Sequence, residues 1–261
     1  MTASRVSSLS PSANAADSGK TASPRLLALR RLALVAVVTF GAALLGHLTR
    51  PAGFLASFWI ANAVLIGLLV RNPRLATPTA WLAIAGGYLA ADLSMGGGFL
   101  LTLWLTAANL AGVIAGFLLF RRISPVDRRL QRPQSLLFLL LISVAAAVAA
   151  AIVGSGSIVV FYGGSLRHAI ELYLTSELAS NLMILPLALT VPPLQTLRLQ
   201  VGAIWRSARA LLPLATLLAS IGIGSLIGGP GAASVPVPAL LWCALSYGIF
   251  PTALLTFATG L

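Results

Sequence analysis

The chain has 261 residues, of which 58% are hydrophobic and only 8% charged, and its mean hydropathy is +0.97. A soluble surface normally needs about 25% charged residues, so a soluble globular domain is excluded. The net charge of +12 falls in Arg clusters between apolar runs, without a basic face or interleaved aromatics, which excludes a nucleic-acid partner.

Residues 1–31 begin with a stretch rich in Ser and Ala and without apolar periodicity, and are expected to form a disordered cytoplasmic tail. The apolar run from Leu32 follows Arg30 and Arg31 but ends in no A-x-A-like cleavage site, so it reads as an uncleaved first span. A bilayer core needs about 20 apolar residues of helix. Cutting at charge and Gly/Pro clusters gives eight such runs: 32–49, 54–70, 77–95, 99–120, 136–162, 169–191, 210–228 and 235–259. The third is short and contains Gly86, Gly87 and Asp92. No strand-like alternation competes. The predicted fold is an all-α polytopic membrane bundle of about eight helices. Fifteen of the 17 basic residues lie in the tail and in alternate loops, against Arg50 and Arg167 on the other side, which places both termini in the cytoplasm. Sixteen of the 17 are Arg, a bias of GC-rich bacterial coding.

Polar residues inside these runs are few. Glu171 lies two residues from the outer start of the sixth run, beside Arg167 and His168, where it reaches the headgroups. Glu177 is roughly 12 Å deeper, at about 1.5 Å per residue. Tyr173, Glu177 and Asn181 recur every four residues with Ser180 between them, so they share one helical stripe. Asn62 on the second run and Asn109 on the fourth come to roughly the same level. A mid-membrane polar cluster is predicted. It serves as interhelical glue, as a ligand or ion pocket, or as a proton path.

Other signals carry less. Gly112 and Gly116 form a small-xxx-small pair. His47 and His168, both near the outer side, are a conceivable haem pair, although interface histidines without that role are far commoner. The serines of "GSGS" at 154–157 have no histidine base nearby, and Asp92 alone makes no aspartyl dyad. The "MGGG" ending at Gly98 follows no strand and reads as an outer turn. The single cysteine, Cys243, forms no intrachain disulfide and suggests no metal cluster. No catalytic site, metal site or cofactor is indicated.

Three stretches resemble the MASE1 domain, an integral membrane sensory module of bacterial signalling proteins. "FWIANAVLIGLLVRNPRLATPTAWLAIAGGYLAADL" at 58–93 matches its W-P-A-N-G type start at Trp59, Ala61 and Asn62, and departs at Ile60 and Ala63. "ANLAGVIAGFLLFRR" at 108–122 is similar to the family's fourth span with its doubled Arg. The family's W-L-x-D-x-x-G, with Pro nine residues after the acid, is matched by the spacing of Glu177 and Pro186. Glu for Asp, Ser180 for Gly and Ser246 for the family's Arg are departures. The resemblance covers residues 32–261. It implies a non-catalytic signal-input module in the inner membrane, coupled in cis or in trans to a cytoplasmic kinase or cyclic-di-GMP output domain absent from the chain, which ends at Leu261. The lipid bilayer, a small-molecule stimulus and a second copy of the chain complete the expected partners. Candidate ligand-binding residues are Trp59, Asn62, Asn109, Tyr173, Glu177 and Asn181. The competing classes are a small multi-pass transporter or permease, and a structural membrane subunit.

Overall fold

A computed structural model describes residues 23–48, 59–205, 208–229 and 231–259. Among these, no strand occurs. The helices in chain order are α1 (Pro24–Leu48), α2 (Ile60–Arg71), α3 (Pro78–Ser94), α4 (Phe99–Arg122), α5 (Pro125–Arg128), α6 (Gln134–Tyr162), α7 (Leu166–Thr190), α8 (Leu194–Trp205), α9 (Ala208–Ile227), α10 (Val237–Tyr247) and α11 (Ile249–Thr259). Residues 24–31, expected in the tail, form the first two turns of α1. Residues 1–22, 54–58 of the second run, Arg50, Arg206 and Leu261 lie outside the described residues.

Among the described residues, five stretches are long and apolar enough to cross a membrane: Arg25–Leu48, Phe99–Arg122, Gln134–Tyr162, Leu166–Thr190 and Arg209–Ile227. The other three expected runs are modified, each for a local reason. Trp59, at φ −110° and ψ 89°, is not helical, so the described helix of the second run is the 12-residue α2, about 18 Å long. α3 starts at a Thr77 cap followed by Pro78, and its 17 residues end before Gly96 turns the chain at φ +83°. The eighth run is not one helix. Gly248, at φ +82° and ψ −173°, adopts a conformation open to glycine alone and splits it into α10 and α11. The Arg-bearing connection after α7, read as a loop, carries the helix α8. Conversely, Pro186 does not break α7, which runs on to Thr190.

α2 sits inside the bundle against α1, α4 and α7, with eight of its twelve residues buried. Small side chains make that position reachable. A Cβ on Gly67 would collide with Ala188 of α7, and one on Gly116 of α4 would lie 2.7 Å from Ile66 of α2. Gly112, on the same face of α4, would place its Cβ 3.2 Å from Ala146 and Ala150 of α6. The small-xxx-small pair is therefore used, one glycine for each neighbour. On α6, Ala146, Ala147, Ala150 and Ala151 are buried, whereas Leu137, Leu141, Val148 and Ile152 are exposed along the opposite face. Small residues inside and large apolar residues outside suit lipid, which leaves no hydrophobic drive between helices and rewards close backbone approach.

Two connections have polar ties. Between α4 and α6, Ser124 caps α5: its Oγ accepts from the Asp127 N–H at 3.1 Å and donates to Asp127 Oδ2 at 2.6 Å. Ser135 Oγ, at the start of α6, donates to the other oxygen at 2.8 Å. These bonds, that from Ser124 first, hold the Asp127 carboxyl below the ordinary carboxylate range. Further on, Pro213 lies inside α9, and there Tyr247 Oη accepts from the Leu214 N–H at 3.2 Å and donates to the Ala210 carbonyl at 2.5 Å. A regular helix would join those two groups directly.

Gly67→Ala is expected to destabilise the protein by about 1–3 kcal/mol, because the Ala188 Cβ it would meet is fixed to the helix backbone and cannot rotate away. Adding Ala188→Gly should recover part of the loss, as measured by thermal unfolding in detergent. Asp127 stabilises the fold while ionised. Its folded pKa is depressed, so its contribution is complete above the ordinary carboxylate pKa of about 3.9 and disappears as pH falls through the lower folded value. The difference in Tm between wild type and Asp127→Asn should therefore be constant near neutrality and shrink below about pH 4.

Candidate functional site

The centre of the bundle holds one hydrogen-bonded network on four helices. Asn62, in the first turn of α2, is its hub. Its Nδ2 donates to Glu177 Oε1 of α7 at 2.8 Å and to Asn109 Oδ1 of α4 at 3.2 Å. Its Oδ1 accepts from Tyr88 Oη of α3 at 2.6 Å. An amide side chain has two donor hydrogens and two acceptor lone pairs, so three of its four positions are used. All four residues are buried, Tyr88 completely. Asn109 and Glu177 stand near the middles of α4 and α7, ten or eleven residues from the helix starts. Asn62 meets them there because α2 itself begins at this depth. The Glu177 carboxyl is thereby held beside the first turn of α2.

The expected set is brought together in part. Asn62, Asn109 and Glu177 bond as described. Asn181 lies one turn along α7 from Glu177, completely buried, and neither amide atom has a hydrogen-bond partner among the described residues. Trp59 enters through its main chain, its N–H donating to Ser180 Oγ at 2.8 Å, while its ring goes elsewhere. The ring lies over Gly46 of α1 and stands edge-on to His47, with centroids 5.6 Å apart. Tyr173 is buried against Gly154 of α6, where a Cβ would collide with the phenol ring, in a separate apolar cluster with Leu105 and Ala108.

Two participants were not anticipated. Tyr88 was read as part of an apolar span. The signal was chemical: the acceptor oxygen of a buried Asn needs a donor, and a hydroxyl in a neighbouring span supplies one. The second is a pair, His47 of α1 and Asp92 of α3, both buried, with Nε2 and Oδ1 2.6 Å apart. That nitrogen is thus engaged by a carboxylate, and His168 is exposed at the start of α7, so the two histidines do not make a haem pair. Among the described residues, no group of three or more His, Cys, Asp or Glu is arranged to hold a metal ion. The "GSGS" segment serves packing: Gly156 receives the Trp104 ring, whose Nε1 donates to the Val153 carbonyl at 2.6 Å, and Ser157 bonds back to Gly154.

Glu171 behaves as a surface residue. It forms an exposed pair with Arg167 at 2.9 Å, a type of contact worth about 0–1 kcal/mol.

No protein-family model and no solved structure matches the chain. Two curated proteins are similar to it. The probable diguanylate cyclase DgcF of Escherichia coli O157:H7 is 26% identical over 209 residues, covering 79% of this chain and 42% of that protein. The probable diguanylate cyclase DgcF of Escherichia coli strain K12 is 41% identical over 73 residues, 28% of this chain and 23% of that protein. In both, the match takes in less than half of the relative's length.

The network ranks its members by what each truncation strands. Asn62→Ala leaves Tyr88, Asn109 and Glu177 without their common partner and should be the most destabilising. Glu177→Ala frees one amide donor, at about 1–3 kcal/mol, and Glu171→Ala should be nearly neutral. Membrane yield and Tm of the three variants, measured side by side, check the order.

Proposed function

We propose that this chain is the membrane-embedded input module of a bacterial cyclic-di-GMP signalling protein, a MASE1-like sensory domain without chemistry of its own. The observation that carries the reading is the Asn62 network, a single polar junction on which four helices converge. In a low-dielectric layer such a junction has few satisfied arrangements, so a stimulus that rebonds it must shift the helices attached to it. The similarity to probable diguanylate cyclases supports the signalling context, since it spans most of this chain but less than half of those proteins.

In this reading both termini face the cytoplasm, eight segments enter the inner membrane, and the output domain acts in cis or in trans. The stimulus is a small polar molecule that binds at the junction, among Asn62, Asn109, Glu177 and the Asn181 amide, with Trp59 and Tyr173 on the flanking helix turns. The unbonded Asn181 side chain, buried on the same face as Glu177, favours a ligand over simple helix glue. A ligand can shift the bundle by no more than its difference in affinity for the two packings.

The late start of α2 and the break at Gly248 favour a second reading. Helices interrupted within an apolar run are characteristic of transporters.

Joining a diguanylate cyclase domain after Leu261 in several linker phases is expected to make cyclic-di-GMP levels depend on growth conditions in at least one phase. Asn62→Ala in that phase should abolish the dependence. Movement of a labelled solute across liposomes by the purified chain, with no fusion responding, would transfer the conclusion to transport.

A further inference from the structure

At the end of the bundle away from the α3–α4 turn, three connections meet around a cleft of about 600 Å³. Its polar wall consists of Arg71 and Asn72 after α2, Arg128, Arg129 and Gln131 around α5, and Thr190 at the end of α7. The volume lies within the range of about 300–1,000 Å³ typical of small-molecule sites. Three guanidinium groups line it, and no acidic residue does. The one carboxylate nearby in sequence, Asp127, has both oxygens engaged by Ser124 and Ser135. No carboxylate pairs with Arg71, Arg128 or Arg129 among the described residues.

Part of this positive charge answers helix ends. Arg71 donates to the Ala188 carbonyl of α7 at 3.2 Å. Arg128 caps α4, with Nε bonded to the Phe120 and Ile123 carbonyls and a terminal nitrogen to that of Arg121 at 2.7 Å. The C-termini of α2, α4 and α7 each present about half a negative charge, so three guanidiniums leave an excess of about one and a half positive charges. Arg129 is wholly uncommitted: its side chain is exposed and has no hydrogen bond or ion pair among the described residues. The wall is also stiff. Leu130 is buried in the left-handed conformation at φ +55°, a strained state for a non-glycine residue, and its neighbours Arg129 and Gln131 both bond back to the Val126 carbonyl.

We propose that this cleft binds a phosphate group, held by Arg129 and the remaining donors of Arg71 and Arg128. The bonds would be charge-assisted and two-pronged, the geometry in which Arg recognises phosphate. The group is carried either by an anionic lipid at the membrane surface or by a soluble phosphate compound. This assignment is independent of the Asn62 junction and stands or falls apart from it.

The test uses the full chain in detergent and in nanodiscs. Native mass spectrometry follows retention of phosphatidylglycerol against phosphatidylcholine, and thermal shift follows protection by pyrophosphate. Selective retention of phosphatidylglycerol assigns a lipid headgroup, and protection by pyrophosphate alone assigns a soluble phosphate. Arg129→Gln, which breaks no internal contact, should weaken the bound probe by about tenfold or more, and Arg71→Gln should act in the same direction. Arg198→Gln, an exposed site on α8, should change nothing. The proposal is overturned if neither probe binds, if Arg129→Gln binds like wild type, or if Arg198→Gln weakens binding equally.

Discussion

The rest of the structure depends on finding partners for one amide. A polar group away from water costs several kcal/mol if left unbonded, and the interior of a helix bundle in lipid offers no water to repair the omission. Asn62 is 1% exposed and meets that demand with one bond to each of three other helices. Those bonds set the relative heights of α2, α3, α4 and α7. The described helix α2 begins only two residues before the hub, which therefore sits in its first turn.

Close packing around the hub comes from the absence of side chains more than from their presence. A Cβ on Gly112 would lie 3.8 Å from Asn62 Nδ2 and press on α6 at the same time. Glycines at 67, 116, 154 and 156 each admit a specific neighbour: Ala188, Ile66, Tyr173 and Trp104. Lipid tails are as apolar as leucine, so burying leucine between helices gains little, and backbone proximity with satisfied polar bonds becomes the main source of specificity.

Depth counted along each apolar run was enough to place Asn62, Asn109 and Glu177 at one level, and the four-residue recurrence of Tyr173, Glu177 and Asn181 marked one face of α7. What the count could not supply was direction across the bundle: the rings of Trp59 and Tyr173 pack against Gly46 and Gly154 of α1 and α6. The same count applied to ionisable groups would have paired His47 with Asp92, both close to the outer ends of their runs. Helix breaks were less legible. Gly248 is one of 24 glycines, and only its backbone angles distinguish it from those buried in helix contacts.

The hydroxyl of Tyr247 gives the last part of the chain a mechanical character. It bonds to an N–H and a carbonyl of α9 on either side of Pro213, and its own residue immediately precedes the Gly248 bend. The bend cannot change its angle without carrying the tyrosine along, and the tyrosine cannot leave without exposing an N–H and a carbonyl of another helix. The Pro213 turn of α9 and the elbow between α10 and α11 are therefore tied to each other. Since α11 packs against α7, the helix that carries Glu177, the tie is engaged at one end with the wall of the polar junction.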